Sequence, residues 1–178
     1  MQMAVLKIQT YPETVLAQKS VPAESGDPGL EQLIEDMIDT MRAANGIGLA
    51  APQVGVSKRV IVVDTKQGEG AEPLVLINPE IELAEGLIDS EEGCLSVPEY
   101  LAHIKRAERV VVKGLDRSGE TVRFEATGLF ARALQHEIDH LDGILIVDRL
   151  SALKREFFKK RYLKAAREMR VGDQQRTS

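Results

Sequence analysis

The chain has 178 residues, of which 43% are hydrophobic and 29% charged, and its formal net charge is −5. These values are typical of one globular domain and do not fit a disordered chain. No apolar run approaches the roughly 20 residues of a membrane span, and the first residues lack the long apolar segment of a secretory signal. We therefore expect a cytosolic protein, and its single cysteine, Cys94, excludes an intramolecular disulfide.

The first half of the chain predicts one helix followed by strands. Asp27 and Pro28 are typical of an N-cap and a first helical residue, and apolar residues then recur at helical spacing to about Ala44. Apolar runs predict buried strands at 59–65 and 74–77. We expect a turn at Asn78 and Pro79, and a further strand pair around Gly86.

The second half predicts a hairpin and two helices. Strands at 110–115 and 121–124 flank a polar turn, and a helix then begins at Thr127 or Gly128 and ends before Gly143. Residues 144–147 are expected to be extended, and Ser151 to cap a final helix. The sequence therefore predicts an α+β fold, with antiparallel sheets around a central helix and one helix near each terminus. We expect a single domain over 1–171, including a basic terminal helix at 151–170, and a disordered tail at 172–178.

The central predicted helix carries the segment QHEIDHLDG at 135–143. His136 and His140 are four residues apart, so both imidazoles lie on one helix face and can bind a single metal ion. Glu137 lies at the edge of the same site, where a general base is needed. The alternative is a pair of histidines on a solvated helix face.

A catalytic site of this kind needs a third protein ligand. The position six residues beyond His140 is Ile146, which cannot bind a metal. Cys94, His103 and Glu156 are the candidates. Cys94 is favoured because a thiolate is a strong ligand for a borderline-soft ion.

Three segments in this order resemble the peptide deformylase family: GIGLAAPQ at 46–53, EGCLS at 92–96 and QHEIDHLDG at 135–143. The resemblance covers nearly the whole chain. It implies that Cys94, His136 and His140 bind one divalent ion, Fe²⁺ in the native family and often Zn²⁺ or Ni²⁺ as isolated. The reaction it implies is removal of the formyl group from the N-terminal formylmethionine of newly made polypeptides during protein biosynthesis.

The resemblance also implies roles for other residues. Glu137 would transfer the proton, while the side chain of Gln53 and the backbone N–H of Leu95 would stabilise the oxyanion. Gly46, Ile47 and Gly48 would lie along the substrate backbone as an added strand. Our candidates for the methionine pocket are Ile47, Leu129 and Ala133. Arg132 lies on the rim or in solvent, and Gln135 and Asp139 either support the ligands or are structural.

The predicted terminal helix is strongly basic. Residues 151–170 contain eight lysines or arginines and two glutamates, a balance of +6 against −11 for the remainder. The resemblance suggests that it binds ribosomal RNA near the peptide exit, through Lys159, Lys160, Arg161, Lys164 and Arg167. The alternative is a solvated helix face. We expect neither a membrane nor DNA as a partner.

Three other functions compete with this interpretation. An aminopeptidase or endopeptidase is disfavoured because the further histidine or glutamate ligand is missing at the position usual in those enzymes. A non-catalytic module with a structural zinc site would normally use four protein ligands. A redox role for Cys94 lacks a resolving cysteine.

Overall fold

The computed structural model describes residues 4–24, 26–65 and 72–176, with side chains through residue 165. Its helices are α1 (Leu30–Ala43), α2 (Gly128–Leu141) and α3 (Ala152–Arg176). Its strands are β1 (Gly48–Ala50), β2 (Val60–Val63), β3 (Leu74–Glu85), β4 (Ile88–Cys94), β5 (Val97–Arg106), β6 (Arg109–Leu115) and β7 (Thr121–Thr127). None of the helices in these residues combines the length and hydropathy that crossing a bilayer requires.

The strands form two antiparallel sheets. Five strands pair in the order β1-β2-β3-β6-β7, and β4 pairs with β5 in a separate two-stranded sheet. The predicted hairpin is confirmed, because β6 pairs with β7 from Arg109–Thr127 to Leu115–Thr121. The α+β class with antiparallel sheets and three helices is confirmed as well.

Two strand predictions are wrong. Asn78 and Pro79 do not form a turn, since β3 runs through them with a bulge between Ile77 and Glu80. Asn78 adopts a φ of 51°, and its side-chain amide bonds both backbone groups of Ala23, at 2.9 and 2.8 Å. The Asn78 backbone N–H donates to the Arg59 carbonyl at 2.8 Å, so the residue stays bonded at the bulge. Gly86 does lie at a turn, but β3 and β4 on its two sides belong to different sheets.

Helix α1 begins later than predicted. Its N-cap is Gly29, with a φ of 79°, instead of Asp27. The Asp27 carboxylate accepts a bond from the Glu24 N–H and pairs with Lys58, so it is not free to cap the helix. The predicted apolar stripe is buried as expected, with Met37 and Met41 fully inside.

The five-stranded sheet is covered on both faces because its side chains alternate. In β2, Val60 and Val62 pack against α1, while Ile61 and Val63 pack against α2. Helix α2 contributes Ala131, Leu134, Ile138 and Leu141 to the core on its side of the sheet. It ends where predicted, with Gly143 following the C-cap at a φ of 73°. The central helix is therefore held along its buried side while its other side remains available for chemistry.

The first half of α3 packs on a third group of buried apolar residues, which includes Leu16, Ile104 and Ile146. The contact is made by four rings that we call the aromatic cluster: Tyr11, Tyr100, Phe158 and Tyr162. The Ser151 hydroxyl accepts a bond from the Lys154 N–H at 3.4 Å, as predicted for an N-cap. The first half of the basic helix is thus packed against the rest of the described fold.

One segment near this helix differs from the sequence prediction. Ile146–Arg149 is a 3₁₀ turn instead of an extended run, because the Asp148 carboxylate accepts a bond from the Leu145 N–H at 2.9 Å. Helix α3 extends through Arg176, and the disorder that the sequence predicts for 172–178 stays a prediction. Residues 177 and 178 lie outside the described residues. Gly172 lowers helix propensity, but no proline interrupts the segment.

Candidate metal centre and catalytic cleft

Three potential metal ligands converge between α2 and the end of β4. The Nε2 atoms of His136 and His140 are 3.2 Å apart, and Cys94 Sγ lies 3.3 Å from His140 Nε2. The three ligand atoms all lie within 4.8 Å of one another. The alternative ligands lie elsewhere: His103 is exposed and pairs with Asp89 at 3.2 Å, and Glu156 is exposed on α3 and pairs with Lys159.

This donor set suits a divalent ion. Two imidazole nitrogens that face each other at 3.2 Å need a cation or a proton between them. One thiolate and two imidazoles are ligands that Zn²⁺, Fe²⁺ and Ni²⁺ accept, and three protein ligands leave a position for water or substrate.

The two histidines differ in pKa. Burial lowers the pKa of His136, but its hydrogen bonds with Cys94 and Glu92 outweigh burial and raise it to about 10. Burial, together with the charges of His136 and Arg106, lowers the pKa of His140 well below its usual value. Without an ion, His136 therefore carries the proton that a metal would displace.

A chain of alternating charges supports His136 from behind. Glu92 Oε2 lies 3.2 Å from His136 Nδ1. Arg106 donates to both oxygens of Glu92, at 3.0 and 2.9 Å, and to Asp139 at 2.5 Å. Arg149 donates to both oxygens of Asp139, one of which Arg106 also bonds. A carboxylate on the second nitrogen of a ligating histidine fixes its tautomer and orientation.

The pKa of Glu92 reflects this environment. Burial alone would raise the pKa, but the hydrogen bonds from His136 and Arg106 outweigh burial and lower it to about 2. Glu92 is therefore an anion near neutral pH.

Sequence reasoning assigned no role to Glu92 or Arg106. A signal was present, because Arg106 follows Ala102 and Ile104 in the buried phase of β5, and a buried arginine requires carboxylate partners. Asp139 is one such partner. Gln135 is structural: its amide bonds the backbone N–H and C=O of Ala107, both at 2.9 Å, and so ties α2 to the β5–β6 turn.

Glu137 lies at the floor of the cleft and is only 4% exposed. Its Oε2 atom has no hydrogen-bond partner among the described residues. Burial raises its pKa to about 7, from a usual value of 4.5. Gly48 lies directly against this side chain, and a β-carbon at that position would lie 2.3 Å from Glu137 Oε1. A carboxyl group that titrates near neutrality suits acid–base chemistry.

Gln53 is held with its amide N–H group toward Cys94. The 3₁₀ turn Ala51–Val54 carries it, and its Oε1 accepts a bond from the Ala50 N–H at 2.9 Å. Its Nε2 donates to Ser96 Oγ at 3.1 Å and lies 3.7 Å from Cys94 Sγ. The oxygen is thus tied to the backbone, and the donor end faces the metal ligands.

These groups line one cleft of about 690 Å³. The predicted site residues on its wall are Gly46, Ile47, Gly48, Gln53, Cys94, Leu95, His136 and Glu137. Two of the predicted substrate-binding residues do not line the cleft: Leu129 is 45% exposed, and Ala133 is buried in the core beside α2. Their role in binding methionine stays a prediction. The Nε atom of Arg132 is buried without a partner among the described residues. This observation does not assign a role to Arg132.

Known proteins are similar to this chain in both sequence and fold. The polypeptide deformylase family model matches residues 5–156. A peptide deformylase of Thermodesulfovibrio yellowstonii is 60% identical over 161 residues, covering 90% of this chain and 98% of that protein. A crystal structure of a peptide deformylase from Legionella pneumophila has a TM-score of 0.86 at 46% identity, covering 93% of this chain and 98% of that one.

A peptide deformylase from Ehrlichia chaffeensis in complex with actinonin is also similar, with a TM-score of 0.84 and 41% identity over 92% of this chain and 98% of that one. These matches and the convergent thiolate, imidazoles and carboxylate lead to the same conclusion. The chain belongs to the polypeptide deformylase family.

Proposed function

We propose that Cys94, His136 and His140 hold the divalent ion with which this deformylase removes the formyl group from the N-terminal methionine of newly made polypeptides. The observation that carries the proposal is the convergence of these ligands in the cleft that the buried Glu137 also lines, with a Glu137 Oε2 atom that has no hydrogen-bond partner among the described residues. We propose Fe²⁺ as the native ion, with Zn²⁺ and Ni²⁺ as ions that the same ligands accept. When bound, the ion supplies a Lewis acid and lowers the pKa of a water molecule.

Glu137 moves the proton in both halves of the reaction. Its carboxylate accepts a proton from the attacking water, and its carboxylic acid then gives that proton to the nitrogen of the leaving amine. A pKa of about 7 suits both steps, because the group is then neither too weak a base nor too weak an acid near neutral pH. The products are formate and a free amino terminus.

Gln53 and Leu95 stabilise the negative charge that develops on the formyl oxygen. The Gln53 amide is preorganised by the Ala50 N–H, so its donor does not have to reorient as the charge forms. Leu95 follows Cys94 at the turn between β4 and β5, and its backbone N–H is the second donor.

The peptide backbone binds along the edge of β1. Gly48 belongs to this edge strand, which pairs only with β2 in the described sheet, so its other side can accept an added strand. Gly46 and Ile47 precede it on the cleft wall. We propose that Ile47, on the cleft wall, contacts the methionine side chain. Leu129 and Ala133, which do not line the cleft, stay predicted members of this pocket. A peptide deformylase from Acinetobacter baumannii, 39% identical to this chain, has been crystallised with Met-Ala-Ser bound.

The proposed reaction is tested by metal analysis and formate release on formyl-Met-Ala-Ser after anaerobic purification. We expect about one ion per chain in the wild type, loss of ion and activity in Cys94→Ala, and loss of activity with the ion retained in Glu137→Gln. His103→Ala is the matched control, because this histidine is exposed and distant from the site. Cleavage of unformylated Met-Ala-Ser, or full activity in Cys94→Ala, would contradict the proposal.

We further propose that α3 binds the ribosome in the cytosol through its exposed cations. Lys160, Arg161 and Lys164 are exposed, whereas Lys159 pairs with Glu156 at 3.7 Å. The side chain of Arg167 lies outside the described residues. Phosphate contacts predict that binding weakens steeply with salt.

Removal of the whole helix is a poor test, because Phe158 and Tyr162 belong to the aromatic cluster. Replacement of Lys160, Arg161 and Lys164 by glutamate keeps that cluster. We expect the triple variant to lose co-sedimentation with ribosomes at low salt while keeping full activity on formyl-Met-Ala-Ser. Unchanged or salt-independent co-sedimentation would contradict the proposal.

A further inference from the structure

Glu99 lies at the mouth of the catalytic cleft. It belongs to β5, is exposed, and forms part of the cleft wall beside Pro98 and Tyr100. Its φ is 59°, a left-handed conformation that residues other than glycine adopt uncommonly. A non-glycine residue held in such a conformation beside a binding site is a reason to ask what its side chain does there.

The charge of Glu99 is not neutralised by its surroundings. None of the described residues that line the cleft is a lysine or an arginine. Glu99 forms no ion pair with any side chain that the structure describes. Glu137 also lines the cleft, but it is buried at the floor. Glu99 is therefore the exposed carboxylate of the described cleft wall, and no described lysine or arginine of that wall offsets it.

The walls around Glu99 strengthen its field. Leu101 and Ile47 are 61% and 37% exposed on the same cleft, and Pro98 and Tyr100 adjoin Glu99 in β5. Apolar walls concentrate an electrostatic field because they polarise less than water does. Burial and the negative charges of Glu99 and Cys94 raise the pKa of Tyr162 above its usual value, so the field of Glu99 also extends to α3.

We propose that the Glu99 carboxylate makes this enzyme prefer nascent peptides that carry a lysine or arginine a few residues after the formylated methionine. This inference rests on the proposed deformylase reaction and adds a preference in the part of the peptide that leaves the cleft. Glu99 takes no part in the chemistry, and it acts on the capture of the peptide. The preference is therefore expected in kcat/KM, mainly through KM.

The test uses C-terminally amidated formyl-Met peptides of five residues, in which a single lysine or glutamate is moved from position two to position five. At low ionic strength, we expect the lysine peptide to exceed the glutamate peptide in kcat/KM by about twofold to fivefold at the most sensitive position, the size of an exposed charge pair. The ratio of kcat/KM for the lysine peptide to kcat/KM for the glutamate peptide should approach one in Glu99→Gln and fall below one in Glu99→Lys. In the wild type, the same ratio should diminish at high salt.

Two comparisons make the outcome clear. Glu91→Gln is the matched control, because Glu91 is an exposed carboxylate of the same two-stranded sheet that does not line the cleft. Formate release from C-terminally amidated formyl-Met-Ala-Ser, which carries no charge, reports the proposed function by itself, so its loss would overturn the reaction and not this preference. A lysine-to-glutamate ratio near one at every position, or a ratio that Glu99→Gln leaves unchanged, would overturn the role of Glu99.

Discussion

Gly48 and Glu137 occupy adjoining space, since a β-carbon on Gly48 would lie 2.3 Å from Glu137 Oε1 and 2.8 Å from its Cδ. The glycine of the edge strand and the proposed general base on the central helix therefore share one space. Only a residue without a side chain lets the buried carboxyl group stand beside the strand on which we propose that the substrate binds.

Gly48→Ala should displace the carboxylate of Glu137. Because misplacing a catalytic group by about 1 Å can cost on the order of 100-fold in rate, we expect a loss of that size in kcat. Overpacking should also lower the free energy of unfolding by about 1–3 kcal/mol. The measurements are formate release and denaturant unfolding.

The control for this variant is its combination with Glu137→Ala. The atoms that would clash are Oε1, Cδ and Cγ of Glu137, and all three are absent from alanine. Gly48→Ala should then leave the free energy of unfolding nearly unchanged. An equal loss of stability in both backgrounds would show that the glycine is required for another reason.

Glu137→Gln should stabilise the metal-free protein at alkaline pH. The folded pKa of about 7 lies above the usual 4.5, so ionisation costs stability as the pH rises from 4.5 to 7, and the cost stays constant above that. We expect the free energy of unfolding of the variant to exceed that of the wild type by about 3 kcal/mol at pH 8 and to equal it at pH 4. Chemical unfolding in the presence of a chelator at both pH values measures this difference.

Glu92→Gln should have the opposite pH signature. The folded pKa of Glu92 is about 2, below its usual 4.5, so its contribution is complete above pH 4.5 and is lost as the pH falls toward 2. In metal-free protein, the variant should be less stable by roughly 3 kcal/mol at pH 6 and equal to the wild type near pH 2. Glu91→Gln changes an exposed neighbour and should differ little at either pH. A constant deficit in Glu92→Gln across this range would contradict the assignment.

The same variant should also weaken metal binding. Loss of a carboxylate behind a ligating histidine typically lowers metal affinity by about 10- to 100-fold. Competition with a chromophoric chelator at pH 7 measures this change. Asp89→Asn is the control, because its carboxylate pairs with the exposed His103 and not with a proposed ligand. Equal affinities in the wild type and Glu92→Gln would show that the carboxylate does not hold His136.

Phe157 and Phe158 are adjacent in sequence but should respond very differently to alanine. Phe158 is 5% exposed and packs in the aromatic cluster, whereas Phe157 is 66% exposed. We expect Phe158→Ala to cost about 3–5 kcal/mol and Phe157→Ala no more than about 0.5 kcal/mol. Thermal and denaturant unfolding measure both. Similar losses in the two variants would mean that α3 is not anchored as described.

The sequence predicted the central helix and the shared face of His136 and His140, because periodicity and residue spacing are local properties. It also placed the β6–β7 hairpin, whose polar turn separates two apolar runs. It failed at Asn78, where the partner of the side chain, Ala23, is 55 residues away. It also gave no role to Arg106, whose carboxylate partners come from β4 and from α2. Contacts of this kind depend on tertiary structure, which a local pattern cannot specify.

The position of Cys94 gives the protein a built-in reporter. It is the sole thiol of the chain, and it lies on the wall of the catalytic cleft. A maleimide, which reacts much faster with thiols than with amines near neutral pH, will therefore label mainly this one atom, and mass spectrometry can count the labelled molecules. The rate of labelling will then follow how often the sulfur is uncovered, so one reagent can titrate occupancy by an ion or by a peptide without an activity assay.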